Sequence, residues 1–512
     1  MTKKYSVLYT DFHTNMHSSQ LDEFDKWYNH ATKVIDFWLL AYYPYKKYTF
    51  GTGLKSEAQL EDEDIKKDWL KINKAIDRVN HDNPNFPMFL GFEWQGSGED
   101  GDHNVFFKGH GDIKMPLRYE QLVEAYKGED VVGIPHHLAY SKGHRGKNWD
   151  THNADFSPFA EIKSQHGSSE SAVTDMKMDR HIHMGPRTGG TSVFDGLNKG
   201  NKVGIIASGD NHVLPADQIN GIAGVWAESN TKEAIWDAML NKRVYGMSDH
   251  KISLWFDVDG KAMGSTLPIT KEDSKANFEV IGNSKIKLVE LIHNGELVDV
   301  QIQKGHRDPN NEVIRFKTKI EFGWGPNPLV YEDITSRVWN IDIKSDADII
   351  EMEPAFSNFQ SEIKSFDKNH VVFDLNTYKT SHSGKWMGET PVTPEGYIFE
   401  FEGKLDDVLT ININGRDYER TVRDILDNTD LIVELEDSVK LAKDRFKVSD
   451  YYRSDSFYHN AYKTRINKGF SVEEYSFNAS FDIKSEDKNG WYSIKVYQED
   501  GQVAWSSPIW FE

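Results

Sequence analysis

Over the first ~250 residues, short apolar runs alternate with segments of helical period, the pattern of βα units. The runs predict strands at Tyr5–Thr10, Val34–Leu40, Met88–Glu93, Val131–Pro135, Phe159–Ile162, Val203–Ala207 and Gly221–Ala227. Leu60, Ile65, Trp69, Ile72 and Ile76 recur at helical spacing and predict a helix over Gln59–Val79. Tyr119–Tyr126 and Thr231–Asn241 predict two more. Strands interleaved with helices in this way point to an α/β barrel more than to an open sheet. From about Asp249 the period changes to two. KISLWFDVDGK, FEVIGN, KIKLVELIHNGELVDVQI and WYSIKVYQEDGQVAWSSPIWF alternate apolar and polar residues and turn at Asp-Gly or Asn-Gly. The expected fold is therefore α/β plus all-β: a barrel over 1–248, then a β-sandwich-like region over 249–512 with a partly helical insertion near 421–442.

Composition narrows the possible functions. The 512 residues, 38% hydrophobic and 12% aromatic, suffice for more than one packed core. A formal charge of -21 argues against nucleic acid and against an anionic membrane surface as partners. It leaves a small anionic substrate open, because a bound metal dominates its local field. With no cysteine, any metal must be held by nitrogen and oxygen, and no thiol nucleophile is available. MTKKYSVLYTD has no long apolar stretch before Asp11, so neither a signal peptide nor a membrane span is expected. A cytoplasmic location is the default; a leader removed ahead of this start is the alternative. The sequence leaves the oligomeric state open.

The chemistry-bearing residues gather where predicted strands end, the rim at which barrel enzymes place their sites. The first strand runs into Asp11-Phe12-His13-Thr14-Asn15-Met16-His17. Alternate residues of an extended segment face one way, so His13 and Asn15, with His17 as a further candidate, share a side. The third strand ends at Glu93, whose two carboxylate oxygens can bridge two ions; Asp102-His103-Asn104 follows. The fourth ends in His136-His137, the fifth carries Glu161 and leads to His166 and Glu170, and the strand ending at Ala207 runs into Asp210 and His212. Such N/O donors suit Zn, Mn or Fe better than Ca, and ions so held would acidify water into a nucleophile. His17, His30, His81 and His110 otherwise read as surface residues. Arg145, Lys147 and Arg187 lie in Gly-containing loops, where each either presents a cation to an anionic group or braces its loop; His137 is a further substrate-binding candidate. Tyr43 either moves a proton or packs.

In order, DFHTN, GFEW, PHH, FAEIKS and SGDNH resemble the motifs of the PHP superfamily, named for DNA polymerases and histidinol phosphatases. PHHLAY, HRGKNWD, EIKSQHGSSE, HMGPRTGG and AWSSPIWF are similar to stretches of uncharacterised bacterial PHP-like proteins. The resemblance implies a distorted (β/α)7 barrel, up to three metal ions and, most often, phosphoester hydrolysis. It implies that His13, Glu93 and Asp210, with Asn15, hold a first ion, and that Glu93 and His136, with His103 or His166, hold another. Two positions depart from the pattern: Asn15 stands where the opening motif has its second His, and Tyr43 falls on the expected strand-two His. The third ion, which would use His212, loses its partner, so fewer than three ions are expected. Glu93, Asp210, Arg187 and Tyr43 are the catalytic candidates. The leading expectation is a metal-dependent hydrolase of a phosphoester or other anionic small molecule. Alternatives are a carboxylic, sulfate or carbohydrate-linked ester as substrate, a metal-dependent lyase or isomerase, and a binding protein with an eroded site.

Overall fold

The computed structural model describes residues 4–49, 55–174, 187–212, 214–216, 221–305, 312–327, 330–334, 336–355, 361–378, 394–448 and 455–512. The first half is ordered as β1 (Ser6–Thr10), β2 (Thr14–His17), α1 (Phe24–Val34), β3 (Trp38–Tyr43), β4 (Tyr45–Thr49), β5 (Lys55–Gln59), α2 (Asp62–Asp82), β6 (Met88–Trp94), β7 (His103–Phe107), α3 (Tyr119–Ala125), β8 (Val131–Pro135), β9 (Phe159–Ser164), β10 (Gly167–Ser168), α4 (Val193–Asn198), β11 (Gly204–Ala207), β12 (Ile222–Ala227), α5 (Lys232–Leu240) and β13 (Val244–Met247). β3, β6 and β8 are buried along their whole length, which is why their sequences are near-continuous apolar runs, broken only by Glu93, rather than alternating ones. α2 turns Ile65, Trp69, Ile72, Ile76 and Val79 inward and leaves its charged face to solvent.

These strands do not form the expected closed barrel. Among the described residues they fall into separate sheets: β2-β3-β6-β7-β8, β10-β9-β11, and a larger sheet that begins β1-β12-β13. β2, β3 and β6 run parallel, but β7 is inserted antiparallel between β6 and β8. Single backbone bonds span the gaps between sheets: Gly133 donates to the Phe156 carbonyl (2.8 Å) beside β9, and Asn15 donates to the Asn211 carbonyl (2.8 Å) beyond β11. The strand order thus gathers the ends of β2, β6, β8, β9 and β11 without a continuous ladder.

One sheet crosses the expected division at 248/249. β13 pairs antiparallel with Val503–Ser506, which pairs with Gly490–Gln498, which pairs with Ile286–His293. Ser507 pins this closure: it accepts from the Ile205 amide (2.8 Å) and donates to the Val244 carbonyl (2.5 Å). Gly246 makes the fit possible, since a Cβ there would lie 2.7 Å from the Ala207 amide nitrogen. Residues 314–466 carry a second core. Two antiparallel sheets face each other across Phe316, Phe322, Trp339, Ile341, Phe373, Phe399 and Phe401, with helices at Val422–Asp427 and Leu435–Phe446 in the segment expected to be partly helical.

Candidate metal centre

Asp11 builds the platform for the site. It is wholly buried just past β1 and accepts from the amides of His13 (2.9 Å), Gly209 (2.8 Å) and Ala216 (2.9 Å) and from the Thr14 hydroxyl (3.0 Å). One carboxylate therefore locks the end of β1 to the loop after β11. Gly209 must be glycine here, because a Cβ would meet Asp11 Oδ2 at 2.5 Å.

On this platform His13 sits at the centre of a carboxylate ring. Its Nδ1 lies 3.0 Å from Glu161 Oε2, and its Nε2 lies 3.2 Å from Asp210 Oδ1 and 3.5 Å from Glu93 Oε2. Burial opposes a charge on His13, but Asp210, Glu161 and Glu93 outweigh it and hold the pKa well above the usual imidazole value. Burial also pushes Glu93 up, yet the bond and charge of His13, with Gln95 and Arg145, keep it below the usual carboxylate range. Asn15 donates to Glu93 Oε2 (2.7 Å), and Gln95 donates to Glu93 Oε1 (2.9 Å).

His136 and His137 follow β8. The His136 ring lies 4.0 Å from that of His13, and its Nε2 lies 4.0 Å from Glu93 Oε1. His136 is 1% exposed, and among the described residues neither of its ring nitrogens has a hydrogen-bond partner. His137 donates its amide to Glu161 Oε1 (2.9 Å). His166 places Nε2 2.7 Å from Asp210 Oδ2 and has the Tyr140 hydroxyl 2.6 Å from Nδ1. Burial, together with neighbouring His and Arg charge, lowers the pKa of His136, His137 and His166 well below 6.5, so each is a neutral imidazole with a lone pair to offer. Three overlapping triads result: His13–Glu93–His136, Asp102–His136–His137 and His137–His166–Asp210, the donor atoms of each within 4.8 Å of one another. His137, Arg145 and Asp210 all have left-handed backbones (φ 34°, 68° and 51°) that cost non-glycine residues roughly 1–3 kcal/mol each. Strain of this kind gathers where geometry serves a ligand.

The sequence candidates land unevenly. His13, Glu93, His136, His166 and Asp210 come together, and His137 joins them as a member of two triads. Asn15 lies beside them, its Oδ1 buried and without a partner among the described residues. His103 does not join: Nδ1 faces the Gly101 carbonyl (3.0 Å), Nε2 faces Lys147 Nζ (3.2 Å), and the ring stacks on Tyr119. His212 pairs through Nδ1 with His17 Nε2 (2.7 Å) and reaches only 4.0 Å from Asp210 Oδ1. Tyr43 packs its ring against His17 and His212, donates to Glu57 (2.7 Å) and accepts from Gln95 (3.1 Å). Burial and then the charges of Glu93 and Glu57 push its phenol well above 10, so it keeps its proton. Arg145 binds Asp102 and His137, while Arg187 donates to the Ser171 carbonyl (3.3 Å), a loop contact. The HMGP part of HMGPRTGG, 183–186, lies outside the described residues. His30, expected on the surface, is 4% exposed, and His17 is half-buried against His212; His81 and His110 are exposed as expected. Asp11, Asp102 and Glu161 stand near strand ends in the sequence but carry no assigned role in the expected site, and Tyr140 is not among its candidates. For Asp102 the missed signal was strand alternation, which turns His103 away from the side that Asp102 faces.

Known proteins add little beyond this geometry. Residues 150–261 match a family described as a protein of unknown function (DUF3604). Over 255 residues the chain is 26% identical to an uncharacterised protein of Chlamydia pneumoniae, a match covering 45% of this chain and 40% of the other. It thus spans less than half of that relative's length. A solved structure from Bacteroides vulgatus, titled a two-domain protein containing a predicted PHP-like metal-dependent phosphoesterase, aligns over 82% of this chain and 95% of its own, at 10% identity and a TM-score of 0.30. At that score the likeness assigns neither fold nor function. No helix among the described residues is long and apolar enough to cross a membrane.

Proposed function

We propose that the chain is a metal-dependent hydrolase, a PHP-like centre that acts on a phosphoester or another small anionic molecule. The observation that carries this reading is His136: a fully buried imidazole with neither nitrogen partnered among the described residues, set against His13 and Glu93. An unsatisfied buried polar group costs roughly 1–3 kcal/mol, a cost a fold sheds unless a ligand repays it. The donors fit a divalent Zn, Mn or Fe ion, being imidazole nitrogens and carboxylate oxygens with no thiolate. The five motifs that resemble the PHP pattern converge on this one cluster, which supports the reading further.

His13, Glu93 and His136 would hold one ion, and His137, His166 and Asp210 a second. Bound there, such an ion supplies an acidified water nucleophile and offsets charge on the leaving oxygen. The chain's own residues set the stage. Glu161 binds His13 Nδ1 and so aims Nε2 at Glu93 and Asp210; Tyr140 does the same for His166. Arg145 supplies a fixed positive charge for the substrate's anionic group. Tyr43, His17 and His212 form an aromatic wall beside Glu93 and Asp210. The test is a screen of phosphomonoesters, phosphodiesters, carboxylic esters and sulfate esters with Mn, Zn or Fe added. Turnover that disappears in Asp210→Ala is expected. No turnover of any class by the metal-loaded protein, or an Asp210→Ala variant that keeps both metal and turnover, would overturn the proposal.

A further inference from the structure

We propose that the chain dimerises by pairing the strand Glu296–Ile302 with the same strand of a second copy, antiparallel and centred on Gln301. This strand ends the nine-stranded sheet: its inner edge pairs with Ile286–His293, and among the described residues nothing pairs with its outer edge. Gln303 donates its amide inward to the Lys287 carbonyl (3.1 Å). Backbone groups point alternately to the two sides of a strand, so those of Ile302 and Val300 point out of the sheet. The Val300 amide accordingly donates to the exposed Asp299 Oδ1 (2.8 Å), a bond that the carbonyl of an added strand can replace.

The side chains suit a second copy. Val300 and Ile302 stand opposite Glu290 and Leu288, and a register shift that leaves Val298 over brings Leu297 opposite Ile292, onto the same face. Leu297, Val300 and Ile302 are 55%, 36% and 66% exposed, an apolar stripe along an open edge. Edges are commonly blunted by Lys or Pro, and this strand contains neither. The shift lies toward its start and leaves the run from Asp299 onward regular. Pairing centred on Gln301 sets Val300 against Ile302 twice, the apolar cross-strand contact that stabilises sheets. Charge selects the direction. Glu296 and Asp299 lie toward one end and Lys304 at the other. An antiparallel copy brings Asp299 beside Lys304 of the second chain, whereas an in-register parallel copy would set Asp299 against Asp299.

Sedimentation of the intact chain measures its mass in solution, and the absence of cysteine lets a single introduced thiol report the register. The unaltered chain is expected to sediment as a dimer. Val300→Lys, which adds a charge next to Lys304 of the second copy, is expected to be a folded monomer by circular dichroism and sedimentation. Gln301→Cys is expected to become a disulfide-linked dimer in air. Facing residues between the bonded pairs bring their Cα atoms to about 4.5 Å, within the roughly 4.4–6.8 Å that a disulfide spans. Val338→Cys, at a 55% exposed position in another sheet, is expected to stay uncrosslinked. If Val300→Lys fails to fold, the two cysteine variants decide. An unaltered chain that stays monomeric at every concentration would overturn the proposal, and that is the outcome if the edge instead serves a strand of another protein. A folded Val300→Lys that remains dimeric, or a Gln301→Cys that crosslinks no faster than Val338→Cys, would overturn it as well.

Discussion

Replacing His136 by leucine tests whether the cluster is held open for a ligand. The side chain is 1% exposed and both ring nitrogens lack partners among the described residues. Each orphaned group costs roughly 1–3 kcal/mol, so the pair costs roughly 2–6 kcal/mol. Leucine fills nearly the same volume without polar atoms and keeps the contact with the His13 ring. Allowing for imperfect packing of the branched side chain, a net gain of about 2 kcal/mol in the metal-free protein is expected. For a cooperative unit of this size that is an upward shift of roughly 4–8 °C in melting temperature. With metal the order reverses. Ion at 100 times its Kd adds about 2.7 kcal/mol to a chain that binds it, and the leucine variant forfeits that gain. The assay is a thermal melt of both proteins after chelation and again with Mn or Zn. A leucine variant that melts below the parent in chelator would refute the argument, because it would show that the His136 nitrogens were satisfied all along.

Other expectations follow from single contacts. Glu161→Gln should weaken metal binding by roughly 10–100-fold while the protein stays folded, because Glu161 orients His13 and also accepts from Ser208 (2.5 Å); titration calorimetry measures it. Lys495 and Glu170 form a buried pair at 2.8 Å, so Lys495→Met alone should cost roughly 3–5 kcal/mol, and adding Glu170→Leu should recover much of that in urea unfolding. Burial, and then the charge of Lys33, lower the His30 pKa from 6.5 to about 4. The folded state then binds fewer protons than the unfolded one between those values, so stability falls as pH drops from about 6.5 to about 4, by about 3 kcal/mol from this residue. A His30→Gln variant should lose about that much less than the parent between pH 7 and pH 4; equal losses would count against it.

Elements buried on both faces were the most legible in the sequence. Val131–Pro135 has the expected bounds, and Met88–Glu93 ends one residue short of the observed strand, because continuous burial demands a continuous apolar run. β2 and β7 were missed as strands, since Thr14–His17 and His103–Phe107 begin with polar residues that serve the site or its surroundings rather than the core. Val34–Leu40 was placed too early: Phe24–Val34 is helical, and Asp36 first turns to pair with Tyr9 through its backbone (2.9 Å) and side chain (2.7 Å) before the strand begins at Trp38. The barrel failed for another reason. Periodicity reports which residues are buried but not which strands pair, and neither the antiparallel β7 nor the return of Val503–Ser506 onto β13 leaves a local trace. In the centre, His13, Glu93, His136 and Asp210 were legible because each stands at a strand end. Glu161 lies within β9, where its sequence setting is that of any strand residue, and only the fold brings it to His13.

The central claim is that this cluster binds divalent metal, and elemental analysis of the purified protein tests it most directly. At least one equivalent of a transition metal per chain is expected, lost on chelation, restored by Mn or Zn, and diminished in Asp210→Ala. Folded protein with no stoichiometric transition metal, before or after incubation with Mn or Zn, would contradict it.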